Sequence, residues 1–263
     1  MQTHCNESIY EMMQSPKFKG LPTVLHLERL GVLSERFSIA HGVWLKESEI
    51  AALASSGAAV SHNPSSNLRL RAGIAPLNAL LAAGVTVGIG MDGTTLNEDE
   101  DMFTEMRLVM RLHRAPLLGT PAPGSAKVLE LATAGGARLM RREHELGRIA
   151  PGYKADLVVL DLKGIAWPWV AEEADPRELL LMRARSGDVK DVYVNGERVL
   201  EDGRPLRFDL AAAGAELAAR LQAHPYPREA AALVAKLTPH LERWYREWEV
   251  PPLEPYIHYN SCT

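Results

Sequence analysis

An α/β fold is what the 263-residue sequence predicts, on three observations. Between Arg36 and Asp92 short apolar runs alternate with helical stretches, the pattern of parallel strands joined by crossover helices. The last of those runs, Val85-Thr86-Val87-Gly88-Ile89-Gly90-Met91, carries no charge, as suits a strand covered on both faces. Beyond Gly147 the texture shifts to strands set between tight-turn residues, which points to a second, smaller sheet.

Taken in order, Phe37-Ser38-Ile39-Ala40 reads as a strand ending at His41. Lys46 to Ser56 follows as a helix with Ile50, Leu53 and Ala54 on one face. Ala58-Ala59-Val60-Ser61 is the next strand, His62-Asn63-Pro64-Ser65-Ser66-Asn67 a polar, turn-rich loop, and Pro76 to Ala83 a helix before Gly84. The uncharged strand then runs into the turn Asp92-Gly93-Thr94-Thr95. Glu98 to His113 has helical spacing in Met102, Met106, Val109 and Met110, and Ala126 to Met140 continues as helix; the methionines read as core packing. Arg148-Ile149-Ala150-Pro151-Gly152 leads into a strand from Ala155 to Leu160. A hairpin spans Val192 to Leu200, with Asn195-Gly196 at its type I′ turn. The tail from Asp209 reads as helices, with Thr238-Pro239 marking a restart. Leu233, Leu237, Leu241, Trp244 and Trp248 share a stripe that reads as packing or an oligomer contact.

Composition narrows the function. A formal charge of -4 and a pI near 6.2 give no general attraction to phosphate backbones, so nucleic acid is not an expected partner. The amino terminus lacks the basic and apolar segments of a signal peptide, and no apolar run is long enough for a bilayer. No membrane association and a cytoplasmic location are therefore expected. Cys5 and Cys262 form no metal-binding or disulfide pattern and are expected to be reduced.

His41, His62 and Asp92 fall at or just beyond successive strand ends, and the active sites of parallel barrels gather on that face. Asp92 borders a dry core, where an unpaired charge is costly, so it either meets a cation or hydrogen-bond network or caps its own turn. His41 is either a satisfied core histidine or a group that polarises a bound water. In His4-Cys5-Asn6-Glu7, an imidazole that can bind metal lies three residues from a carboxylate that can move protons; alone, that spacing arises often by chance. His62 and Asn63 read as turn formers, and His26 and His113 as helical residues without a catalytic role.

The ordered set is more specific than its parts. His4-Cys5-Asn6-Glu7, Ile39-Ala40-His41-Gly42, Ser61-His62-Asn63-Pro64-Ser65-Ser66-Asn67-Leu68, Gly73-Ile74-Ala75-Pro76 and Gly90-Met91-Asp92-Gly93 together resemble the amidohydrolase superfamily, in its cytosine/adenosine-type deaminase and triazine hydrolase branch. The resemblance continues through Ala132-Thr133-Ala134-Gly135-Gly136-Ala137 and the run from Gly147 to Leu157.

It implies a partial (β/α)8 barrel, strands five to eight, in 1–140, part of a small β-sandwich domain in 141–208 and a helical extension in 209–263. It also implies a metal ion, zinc or iron, one per site, held by His4 and Asp92. Glu7 would protonate a ring nitrogen of a heterocyclic substrate, His41 would orient the attacking water or the substrate, and Asp92 would take a proton from that water. The implied reaction is hydrolytic deamination of a nucleobase, nucleoside or triazine. The family's His-x-His pair, which supplies two further ligands, occurs nowhere in the sequence, so the chain is expected to lack the first four strands. The alternative is an inactive fragment with a scaffold or assembly role. Open strand edges in a half-barrel predict self-association, as a homo-oligomer.

Overall fold

The computed structural model of the chain describes residues 1–93, 99–114, 119, 122–224 and 227–248. Thr94 and Thr95 of the expected turn, Glu98, His258 and Cys262 lie outside them.

Strands β1 (Gln2–Cys5), β2 (Ser38–His41), β3 (Ala59–His62) and β4 (Thr86–Ile89) form one parallel sheet in that spatial order. No closed barrel forms among the described residues. The register aligns Thr3, Ile39, Val60 and Val87 in one row, whose three aliphatic members are buried. Each such side chain stabilises the sheet by about 2 kcal/mol through the apolar surface it removes from water.

Helices α1 (Ile9–Lys19) and α2 (Thr23–Arg29) connect β1 to β2, α3 (Glu47–Ser56) connects β2 to β3, and α4 (Pro64–Arg69) and α5 (Leu77–Ala82) connect β3 to β4. After β4 come α6 (Met102–Leu112) and α7 (Ser125–Glu130), then a π turn at Leu131–Gly135 that runs directly into α8 (Gly136–Leu139). Local chemistry sets several ends. The Ser8 hydroxyl accepts from Glu11 N at 3.3 Å to start α1, and the Asp101 carboxylate accepts from Phe103 N at 2.8 Å to start α6. Met106, Val109 and Met110 of α6 are buried, as their spacing predicts.

Two expectations need correction. The segment His62–Asn67 is not a turn-rich loop: Pro64 opens α4, where its missing N–H is no loss, and Ser66 and Asn67 are buried. Their polarity is matched by partners at neighbouring strand ends rather than by solvent. Beyond α9 (Leu162–Ala166) and α10 (Pro176–Arg183), the tail holds α11 (Leu210–Ala223) and then α12 (Arg228–Arg246), which passes through Pro239 without a restart. The missing N–H frees a single carbonyl on an exposed helix, where water can take it. The stripe of Leu233, Leu237, Leu241 and Trp244 is exposed, while Tyr245 and Trp248 meet Tyr10 of α1, with ring centroids 4.6 and 6.2 Å apart.

The second sheet is antiparallel, in the order β5 (Leu157–Leu160), β6 (Val189–Val194), β7 (Glu197–Glu201) and β8 (Arg204–Pro205). Asn195 and Gly196 both have positive φ, 51° and 84°, as a type I′ turn requires. Among the described residues it is one four-stranded sheet, and the neighbouring Val158 and Val159, which point to opposite faces, are both exposed. Ser186 N donates to the Asp101 carboxylate at 3.0 Å and Arg107 donates to Ala184 O, tying the segment before β6 to α6.

Candidate active site

Asn6, His41 and Asp92 stand at the carboxyl ends of β1, β2 and β4, and each has a left-handed backbone, with φ of 51°, 74° and 63°. That conformation costs a residue with a Cβ about 1 kcal/mol or more and persists where surrounding structure imposes it. Here it accompanies a convergence of side chains. His4 Nε2 lies 3.8 Å from Asp92 Oδ1, and His41 Nε2 lies 3.8 Å from Asp92 Oδ2 and 3.7 Å from Glu7 Oε2. The His4 and His41 rings stack with centroids 5.0 Å apart. The structure thus brings together the four residues His4, Glu7, His41 and Asp92 singled out in the sequence.

Each is held from behind. The Asn6 carbonyl accepts from Val43 N and Trp44 N, and its side-chain amide donates to Trp44 O at 3.1 Å and to Glu49 Oε1 at 2.9 Å. Glu49 is fully buried, and its carboxylate also accepts from Val24 N and Lys46 N, both at 3.0 Å. A buried carboxylate with three N–H donors is a fixed point, and it pins the turn between His4 and Glu7. Across the site, the Ser66 hydroxyl donates to Asp92 Oδ2 at 2.7 Å, and His41 Nδ1 lies 2.8 Å from Asn67 Oδ1.

The residues present fit a divalent metal ion. Because an amide oxygen only accepts, Nδ1 of His41 is the donor in this bond, which in the neutral ring leaves Nε2 to present a lone pair. That Nε2 is buried without a hydrogen-bond partner among the described residues and faces two carboxylates, which are acceptors too. A cation placed among them resolves the conflict. One donor atom each from His4, His41 and Asp92 lies within 4.8 Å of the others, and two imidazoles with a carboxylate suit zinc or iron.

His62 and Asn63 are not part of this cluster, and His62 is not a turn former. It ends β3 fully buried, with Nε2 3.0 Å from Nε2 of His113, itself buried at the end of α6. Desolvation, with the neighbouring imidazole adding to it for His62, lowers their pKa values to about 3 for His62 and about 4 for His113. Unfolded histidines titrate near 6.5, so the unfolded chain binds more protons below that pH. The stability from keeping both rings neutral is complete above pH 6.5 and falls as pH drops toward the folded values. Between pH 7 and 5 the loss is expected to be about 2 kcal/mol per histidine. Urea unfolding at the two pH values measures it, and a flat profile would count against the neutral pair.

Sequence reasoning gave Glu49 and His113 no part in a site, and quoted Asn6, Ser66 and Asn67 only as parts of motifs. The signal for Glu49 was its place three residues after Lys46, the N-cap of α3, the reciprocal position of a capping box. The signal for Ser66 and Asn67 was Pro64, a helix-opening residue that puts both in a first turn.

Comparison with known proteins follows the same lines. The model of the amidohydrolase family matches residues 1–199. A 5-methylthioadenosine/S-adenosylhomocysteine deaminase of Nitratidesulfovibrio vulgaris is 38% identical over 217 residues, 82% of this chain and 48% of that protein. A 5′-deoxyadenosine deaminase of Methanopyrus kandleri is 34% identical over 209 residues, 80% of this chain and 48% of that one. Among solved structures, a zinc-bound adenosine deaminase from Xanthomonas campestris superimposes with a TM-score of 0.76 at 34% identity, over 82% of this chain and 48% of that one. An atrazine chlorohydrolase from Arthrobacter aurescens, complexed with zinc, gives 0.76 at 31% identity, over 83% and 48%. The chain spans about half the length of the curated relatives it matches.

Proposed function

The chain belongs to the amidohydrolase family, and on that premise we propose that it serves a metal-dependent hydrolase that deaminates a nitrogen heterocycle, with an adenine nucleoside altered at its 5′ carbon as the first substrate to test. The observation that carries the reading is the convergence of His4, Glu7, His41 and Asp92 at the carboxyl ends of the parallel strands. In this reading β1 to β4 are strands five to eight of a barrel in 1–140, 141–208 is part of a sandwich, and 209–263 is a helical extension. For the chain as given, the edges that β1 and β4 leave unpaired among the described residues favour self-association as a homo-oligomer.

His4, His41 and Asp92 would hold a zinc or iron ion, one per site, through the atoms that already face one another. Such an ion supplies Lewis acidity and makes water nucleophilic near neutral pH. Asp92, anchored by Ser66 on one oxygen, takes the proton that the attacking water gives up. Glu7, part-exposed and 3.7 Å from His41, delivers a proton to the ring nitrogen next to the carbon under attack, so the ring can carry the electron pair. The proton on Asp92 then passes to the amino group, which leaves as ammonia, and the new hydroxyl returns its proton to Glu7 as it becomes a carbonyl. His41, fixed by Asn67, orients the reacting groups from the buried side. No helix among the described residues is long and apolar enough to cross a membrane.

Elemental analysis and ammonia release test the reading together, on 5′-methylthioadenosine, adenosine and a triazine. The expected result is close to one zinc per chain and ammonia from an adenine nucleoside. Glu7→Gln should keep the zinc and lower turnover by at least about 100-fold, the scale of one lost acid–base group. Zinc bound without ammonia release from any of them would favour the scaffold alternative.

A further inference from the structure

We propose that the adjacent residues Ser66 and Asn67 are the positioning pair of the site, Asn67 fixing the tautomer of His41 and Ser66 the orientation of Asp92. His41 ends β2 and Asp92 lies just beyond β4, and these strands are separated by β3. Two strand spacings amount to roughly 9.6 Å, yet the reactive atoms of these residues are 3.8 Å apart. What spans the gap is α4, which follows directly from the middle strand β3. Neighbouring residues on a helix point about 100° apart, so two consecutive side chains can diverge to either flank. Ser66 reaches Asp92 on one side, and Asn67 reaches His41 on the other.

The hydrogen bonds of Asn67 exclude a purely packing role. It is buried, and among the described residues its Nδ2 has no partner, so the bond to His41 is the one its side-chain amide makes there. Leaving a buried donor unpaired costs about 1–3 kcal/mol, which an apolar residue of the same shape would avoid. What the amide gives in return is chemical: its oxygen holds the proton on His41 Nδ1 and leaves Nε2 bare toward Glu7 and Asp92. In the same way the Ser66 hydroxyl occupies Oδ2 of Asp92, while Oδ1 faces His4. These are the tasks of groups that orient metal ligands without touching the metal.

This inference deepens the metal-site reading, but its first test needs no metal. In the zinc-free chain labelled with 15N-histidine, long-range proton–nitrogen correlation is expected to show the His41 proton on Nδ1. Asn67→Leu should move it to Nε2 and weaken cobalt(II) binding about 10- to 100-fold, whereas Asn67→Asp, which keeps the acceptor, should restore both. Ser66→Ala should weaken cobalt(II) binding and leave the His41 tautomer unchanged. If the leucine variant does not fold, Asn67→Ala gives the same comparison. A wild-type proton on Nε2 would overturn the proposal, as would an Asn67→Leu variant with the original tautomer and affinity. If the tautomer and cobalt results hold but no ammonia is released, the deaminase reading fails and the positioning pair stands.

Discussion

Asp92→Asn is expected to weaken zinc binding by at least about 100-fold, more than loss of an outer group does, while changing the unfolding free energy of the zinc-free chain by no more than about 1 kcal/mol. The two effects separate because Asp92 serves two purposes. Its backbone is left-handed, with φ of 63°, and asparagine tolerates that region nearly as well as any residue except glycine. An asparagine oxygen can also accept from Ser66, so the local bond survives. What the amide cannot supply is the negative charge facing His4 and His41. Asp92→Ala should lose zinc equally and should also be less stable than Asp92→Asn, since alanine fits the left-handed region poorly and leaves Ser66 without its acceptor. Competition with a chromophoric chelator, alongside urea unfolding, gives both numbers. Zinc affinity within tenfold of wild type in Asp92→Asn would remove Asp92 from the ligand set.

Gly135→Ala should destabilise the chain by about 3 kcal/mol or more, whereas Gly136→Ala, one residue on, should be neutral or stabilise it by up to about 1 kcal/mol. A Cβ on Gly135 would sit 2.6 Å from the carbonyl oxygen of Val87 and 3.1 Å from that of Glu130, and neither is a side chain that can swing aside. A Cβ on Gly136 meets nothing within 4 Å, and alanine is the better helix former. The difference arises from the π turn at Leu131–Gly135, which presses its backbone against β4, the strand that leads to Asp92. Gly135→Ala should therefore also disturb zinc binding. Urea midpoints for the two variants decide the matter, and similar midpoints would show that the close approach of the turn to β4 is not required.

Much of this was legible in the chain because strands and site share one signal. The apolar runs at Phe37–Ala40, Ala58–Ser61 and Val85–Met91 overlap the observed strands, and at the first and the last of them the polar residue that stops the run, His41 or Asp92, is one the site uses. His41 and Asp92 were readable for that reason. Ser66 and Asn67 were not, because serine, asparagine and proline in succession describe a turn as well as a helix start, and local composition cannot say whether their polar groups face water or a neighbouring strand. Glu49 was hidden differently: a glutamate in the first turn of a helix has an ordinary place there, and its link to Asn6, 43 residues earlier, exists only in the folded chain. The His62–His113 pair, 51 residues apart, was out of reach for the same reason. The continuity of α12 through Pro239 went against a sound local rule, which gave way because the lost hydrogen bond lies on an exposed helix.

The two imidazoles of the candidate site are anchored unequally. Gln2, Thr3 and His4 of β1 are exposed, while Asn6 just beyond is clamped by Glu49 and Trp44, and His41 is buried at the end of β2. His41 is a donor fixed in the floor of the site and His4 one that stands at its rim, so water and ions reach the His4 ring directly and the His41 ring only through the site.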